Sequence, residues 1–191
     1  HPDATFVQIA YNLNDQITSI TDEKNQTYAY EYNANGNLTK ITDPADKLTQ
    51  YAYDLMDRVN AVANRLYKVT NYAYNNMERL SSVTDPNGIT TSLGYNSRGW
   101  LNQVIQGGQT WQRGYDDEGI LSSTTTPLGH TTSYQSDKLG FITGITDPLG
   151  QTTILTRDAL SRITGITDPL GRTTNYAYDP RGLLSGVTMP V

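Results

Sequence analysis

An all-β array of tandem β-hairpins is the fold class this sequence predicts, and three observations predict it. The first is a repeat. Tyr11, Tyr32, Tyr53, Tyr74, Tyr95, Tyr115, Ser136, Arg157 and Tyr178 form one column in which every step is 21 residues, except the 20-residue step from Tyr95 to Tyr115. A fixed period of this length is the signature of a stacked array and is read before anything else. The second is a pair of turn signals in each period. The third is that the segments between turns alternate at period two, with no convincing helical spacing.

The elements follow in order. Thr5 to Tyr11 reads Thr-Phe-Val-Gln-Ile-Ala-Tyr, an uncharged apolar first strand, so Phe6, Val7 and Ile9 are a candidate strand-pairing edge. In the next unit Asp43, Pro44, Ala45 and Asp46 read as a type I turn, with Asp capping the first position and Pro setting φ at the second. The same device recurs as Asp85-Pro86-Asn87-Gly88, Thr126-Pro127-Leu128-Gly129, Asp147-Pro148-Leu149-Gly150 and Asp168-Pro169-Leu170-Gly171. The closing glycine suits a bulge with positive φ. Half a period away, Asn33 to Gly36, Asn96 to Gly99, Asp116 to Gly119, Asp137 to Gly140 and Asp179 to Gly182 place Asp or Asn first and Gly fourth.

Between the turns lie strands of two kinds, Asn37 to Thr42 and Leu48 to Tyr53 in the second unit. Leu38 and Ile41 are three apart, so they face opposite sides unless a bulge resets the alternation. Tyr67, Glu78 and Ser161 stand where Gly, Asn or Asp would be comfortable, and distorted turns are expected there. In the short unit Gln106-Gly107-Gly108-Gln109 signals a tighter two-residue hairpin. A lone hairpin is marginal in water, so the units must stack. A Tyr side chain contributes at most about 4–6 kcal/mol by burial, and most of the 14 tyrosines read as packing.

Composition narrows the class. With 36% hydrophobic and 17% charged residues in 191, a thin polar β structure fits better than a thick core. A net charge of −5 leaves no basic patch and disfavours nucleic acid. The sequence has no apolar run long enough for a membrane span, and His1-Pro2-Asp3-Ala4 resembles neither a signal peptide nor a natural start. The absence of Cys removes disulfides and thiolate metal sites. Both ends interrupt the array at the same phase, His1 to Ala4 and Met189-Pro190 each falling on the proline turn. The expectation is a single array over 1–191 with no second domain, as a segment of a longer array or a repeating subunit.

Catalytic chemistry finds little footing. His130 follows a turn at the position of Ile89, Gln151 and Arg172, a solvated variable site. Carboxylates are plentiful, as a glycosidase needs, but most Asp occupy turn positions that explain them. Asp116-Asp117-Glu118 and the run Asn33, Asn35, Asn37 space oxygens as a calcium loop does, yet neither has the terminal bidentate Glu, so turn capping is preferred. No catalytic, metal or cofactor site is expected. Trp111 stands in a column of Thr49, Thr70, Thr91, Thr132, Thr153 and Thr174, and Trp100 where Asn37, Arg58 and Arg79 stand. The two rings read either as local packing around the Gln106 to Gln109 turn or as a candidate sugar-stacking platform.

The units Tyr32-Asn33-Ala34-Asn35-Gly36-Asn37-Leu38, Tyr115 to Leu121 and Tyr178 to Leu184, with the intervening Ile/Val-Thr-Asp-Pro-x-Gly-x-Thr-x-Tyr-x-Tyr stretch, resemble the Tyr-Asp repeat of the Rhs family over essentially the whole chain. The resemblance implies a β-sheet strip, elongated or spiralling, of the kind that winds into a hollow shell around a toxin domain in secreted bacterial polymorphic toxins. Related repeats occur in cell-surface proteins. The family's shell-closing Asp-Pro-x-Gly-Leu segment is not matched, because Gly150 precedes Gln151 and Gly171 precedes Arg172. Nine hairpins line a cavity rather than close one. The reading is therefore a non-catalytic wall segment of a bacterial extracellular shell or surface assembly. Its expected partners are further copies of the repeat and a toxin cargo or glycans, with no nucleic acid. A self-assembling extracellular filament subunit and a carbohydrate-binding adhesive module are the alternatives.

Overall fold

The structure, a computed structural model, describes residues 7–190. Phe6 and the His1 to Ala4 turn, both singled out above, lie outside the described residues. The described residues form eighteen antiparallel strands of one open sheet and no helix. The chain divides into two compact units after Ser92. The first holds β1 (Gln8–Tyr11), β2 (Ile17–Thr21), β3 (Thr27–Tyr32), β4 (Leu38–Thr42), β5 (Leu48–Tyr53), β6 (Val59–Ala63), β7 (Val69–Tyr74), β8 (Leu80–Thr84) and the start of β9 (Thr90–Tyr95). The second holds β10 (Leu101–Gln106), β11 (Gln109–Tyr115), β12 (Leu121–Thr125), β13 (Thr131–Ser136), β14 (Ile142–Thr146), β15 (Thr152–Arg157), β16 (Ile163–Thr167), β17 (Thr173–Tyr178) and β18 (Leu184–Thr188). Within each unit every strand pairs with its neighbour in sequence. The connections consequently alternate between two rims, one following the tyrosine column and one carrying the prolines.

All connections but one are the same turn. In it the first residue's N–H donates to the carbonyl of the fifth, and the fourth residue's N–H donates to the carbonyl of the first, as in Asp43 N–Lys47 O at 3.0 Å and Asp46 N–Asp43 O at 2.9 Å. The fourth residue is left-handed, whether Gly150 at φ +80° or Asp46 at +58°. This corrects the expectation at Tyr67, Glu78 and Ser161. They take φ of 59°, 63° and 63° and keep both hydrogen bonds, so those turns are regular and absorb about 1–3 kcal/mol of strain each. The exception is Gln106 to Gln109, where Gly107 and Gly108 both have positive φ and Gln106 pairs Gln109, the two-residue hairpin expected. Because the fifth residue belongs to the connection, strands are mostly six and five residues long, shorter than the sequence suggested.

The tyrosine-rim hairpins from β1–β2 to β7–β8 and from β11–β12 to β17–β18 carry a bulge. Glu31 faces Lys40 and Tyr32 faces Leu38, so Thr39 is the extra residue, and the shift recurs at Ala52/Tyr53 and Ala177/Tyr178. The bulge answers the question posed by Leu38 and Ile41. Ile41 is opposite Tyr30 and Leu38 opposite Tyr32, two residues apart on β3, so both lie on one face. That face carries Tyr51 with Val62, Tyr134 with Ile145 and Leu155 with Ile166. The other pairs small or polar residues, such as Ala52 with Ala61 and Thr156 with Gly165. No apolar side chain among the described residues is fully buried; the aromatic face is half-buried, with a single sheet beneath it.

Candidate functional site

The most elaborate side-chain chemistry lies along the tyrosine rim. The opening Asp or Asn of each turn there uses Oδ1 twice: Asp54 Oδ1 accepts from the N–H of Met56 at 2.9 Å and of Arg58 at 3.0 Å, and Asn33, Asn75, Asn96, Asp116, Asp137, Asp158 and Asp179 do likewise. A side-chain oxygen that replaces two backbone acceptors is why these residue types recur. At Asp54 and Asp158 the other oxygen binds Arg58 and Arg162, and these guanidinium hydrogen bonds, with the backbone N–H groups, hold both carboxyls below the usual range.

Successive repeats are tied together by the tyrosine column. Each hydroxyl donates to a carbonyl at the start of the preceding five-residue strand: Tyr32 to Ile17 at 2.8 Å, Tyr53 to Leu38 at 2.6 Å, Tyr74 to Val59 at 2.8 Å and Tyr178 to Ile163 at 2.8 Å. In the short repeat Tyr115 reaches Leu101 at 2.7 Å. Over the rings lies the fifth turn residue of the repeat before. Arg58 sits 4.4 Å from the Tyr74 centroid and Arg162 4.6 Å from that of Tyr178. Polar links run alongside, Asn35 and Asn37 donating to Asp57 at 2.8 and 2.6 Å and Arg98 meeting Asp117 at 2.8 Å. In the two calcium-like runs Asn33 and Asp116 cap turns with Oδ1, Asp117 meets Arg98, and Asn35 and Asn37 contribute amide donors rather than oxygens.

The remaining predicted positions fall as follows. Asp43 is the most buried polar side chain among the described residues, about 8% exposed, accepting from Ala45 and Lys47 at 2.9 Å each and facing Arg65 at 3.2 Å, with Pro44 beside it in the turn. Its carboxyl is held low chiefly by the Lys47 N–H. Gly88, Gly129 and Gly171 resemble Gly150, with positive φ and open space around them on the proline rim. Gly36, Gly119, Gly140 and Gly182 on the tyrosine rim lie against Gln16, Trp100, Ile120 and Arg162, and Gly99 has φ +89°. Val7 and Ile9 are exposed, with Ile9 opposite Ile20.

The two tryptophans are not brought together. Trp100 precedes β10 on the tyrosine rim, its ring 5.5 Å from that of Tyr115 and tilted by 54°, in the place Arg58 and Arg162 take elsewhere. Trp111 pairs Val104 near the other end of the strand and lines a cavity of about 350 Å³ with Arg113 and Thr124. Two residues that sequence reasoning passed over break the tyrosine column. Arg157 keeps its function, with Nη2 donating to the Ile142 carbonyl at 3.4 Å, while the Ser136 hydroxyl is buried and without a partner. Their standing in the column was the available signal. No described helix is long and apolar enough to cross a membrane.

Against known proteins, the RHS repeat profile matches residues 11–47, 32–67, 78–110, 137–173 and 158–191, together well over half of the chain. Among solved structures the chain is similar to a Photorhabdus luminescens Tc holotoxin pore with a mutated TccC3, at TM-score 0.66 and 16% identity over 97% of this chain and 12% of that one. It is likewise similar to TcdB2-TccC3 without its hypervariable C-terminal region, at TM-score 0.66 and 16% identity over 98% of this chain and 12% of that one. The chain thus spans about an eighth of the length of those proteins. No curated protein matches it.

Proposed function

The chain belongs to the RHS repeat family, and from that premise we propose that it is a non-catalytic wall segment of a bacterial extracellular shell that encloses a toxin domain. The observation that carries this reading is the tyrosine rim. Hydroxyl-to-carbonyl bonds and cation–π contacts join most repeats to the one before, so the rim's side chains serve continuity along the strip. A stiff strip made this way is wall material. The likeness to Tc toxin components supports the same context.

A wall must be continued. The exposed apolar side chains of β1, Val7 and Ile9 next to it and in it, and of β18, Leu184 and Val187, support pairing with further copies of the repeat, in the same polypeptide or a neighbour. That edge pairing is also what favours the filament as second reading. Electron microscopy of the purified chain, with and without Val7→Lys plus Ile9→Lys, tests both. End-to-end strips abolished by the double substitution support edge pairing, and regular filaments support the second reading. A dispersed monomer at high concentration, or a substrate turned over by the chain and lost with one Asp substitution, defeats the wall reading.

A further inference from the structure

The gap that Ser136 leaves in the tyrosine column is, we propose, a binding site for a neutral or cationic phenolic ring. In the regular repeats the column phenol lies against the fifth turn residue of the preceding repeat, as Tyr74 lies under Arg58, and its hydroxyl reaches the carbonyl fifteen residues back. For position 136 the corresponding residues are Ile120 and the Leu121 carbonyl. Ser136 is too short to fill the space, and its hydroxyl, buried and unpartnered, points to a missing polar neighbour. The space is there. A cavity of about 420 Å³ is lined by Asp116, Glu118, Ile120, Ser136, Asp137 and Lys138. An apolar cavity of about 150 Å³ already holds benzene, so this one has room for a phenol.

The chemistry of the occupant follows from the lining. Ile120 offers an apolar wall to a ring, while its own side chain rests on Gly140, with Cδ1 3.5 Å from where a Cβ would be. The Leu121 carbonyl accepts a phenolic O–H, as its counterparts Ile17, Leu38 and Val59 do from Tyr32, Tyr53 and Tyr74. The Ser136 hydroxyl supplies the donor for the phenol oxygen. Three carboxylates in the lining, Asp116, Glu118 and Asp137, against the single Lys138 repel an acidic substituent and favour an amine. Elsewhere the chain repairs such a gap itself: Arg157 replaces the next tyrosine and reaches Ile142. At Ser136 nothing does.

The ring has two sources, a free phenolic compound or a tyrosine side chain of another polypeptide segment. The test titrates the intact chain with phenol, tyramine, 4-hydroxybenzoate and cyclohexanol, followed by backbone NMR shifts. Saturable one-to-one binding of phenol is expected, with shifts centred on Ser136 and Ile120. Tyramine should bind about threefold or more tighter than 4-hydroxybenzoate at low salt, and cyclohexanol should not saturate. Ser136→Tyr should weaken phenol at least about tenfold by filling the gap. A blocked tyrosine peptide binding about tenfold tighter than phenol identifies a polypeptide source, and equal or weaker binding a free phenolic. No saturable phenol binding, shifts centred elsewhere, or undiminished binding to a folded Ser136→Tyr chain overturns the proposal; if that variant does not fold, the shift map of the native chain decides alone.

Discussion

A Cβ placed on Gly119 of the tyrosine rim meets the Trp100 ring at 2.7 Å, whereas one placed on Gly150 of the proline rim meets nothing within 4 Å, although the two glycines have similar φ of +91° and +80°. The turn is the same on both rims, closed by the same two backbone bonds and, apart from the turn opened by Thr126, capped by an Asp or Asn oxygen. What differs is reach. On the tyrosine rim the fifth turn residue and the column phenol cross to the adjoining repeat. On the proline rim the side chains mostly close their own hairpin, through pairs such as Thr146 with Thr152 at 2.9 Å and Thr167 with Thr173 at 2.8 Å, and a cross-repeat contact is the ion pair of Arg65 with Asp43 at 3.2 Å. Coupling between repeats is therefore concentrated on the tyrosine rim, while the proline rim chiefly turns the chain.

The sharpest way to break this contrast is to put the same residue into both turns. Gly150→Val carries only the strain of a β-branched residue at positive φ, about 1–2 kcal/mol. Gly119→Val carries that strain and the collision with Trp100, about 2–5 kcal/mol in all. Urea unfolding of both variants against the parent measures the difference. Equal losses would mean that the ring contact adds nothing and that the rims are equivalent.

A smaller effect isolates the hydroxyl staple. Tyr53→Phe keeps the ring and removes the donor to Leu38, and a loss of about 0.5–1.5 kcal/mol is expected. Tyr51, two residues earlier on the same face, makes no such bond across repeats, so Tyr51→Phe should be near neutral. Hydrogen exchange adds location: the first variant should loosen amides of β4 as well as β5, the second neither. Identical protection in the two would remove the coupling role of the column.

The hairpin order, the turn type and the Gly-Gly exception were legible because Asp, Asn, Pro and Gly act within four residues of themselves. The bulge was legible only as a conflict, since Leu38 and Ile41 could share a face in no other way. The coupling of repeats was not. A Tyr that donates fifteen residues back looks the same in sequence as one that merely packs, because its acceptor is a backbone carbonyl with no residue identity. For the same reason Ser136 looked like a lapse in a column rather than a cavity, and Trp100 like half of a platform rather than a substitute for Arg58. The regularity at Tyr67, Glu78 and Ser161 was hidden by local preference, which the flanking ladders override.

The smallest expected effect should not distinguish the rims at all. Asp54, Asp158 and Asp179 on the tyrosine rim, and Asp43 and Asp168 on the proline rim, have carboxyls held below the ordinary range. At Asp54, Asp158 and Asp168 the leading cause is a guanidinium hydrogen bond, from Arg58, Arg162 and Arg172. At Asp43 and Asp179 it is a backbone N–H, of Lys47 and Leu183. A carboxyl with a lowered native pKa stabilises the fold above its unfolded value of about 3.9, and the stabilisation is lost as pH falls through the native value. Melting temperature should therefore be flat between about pH 7 and 5 and decline below about 4. Apart from Asp43 these side chains are reached by solvent, which screens them, so the decline should be shallow. Asp54→Asn keeps the turn-capping oxygen and removes the titration, so it should flatten the acid limb slightly, and Asp168→Asn should do so to the same extent. A marked difference between the two would show that the tyrosine rim uses its carboxylates for coupling as well as capping, and the division between the rims would then extend to charge.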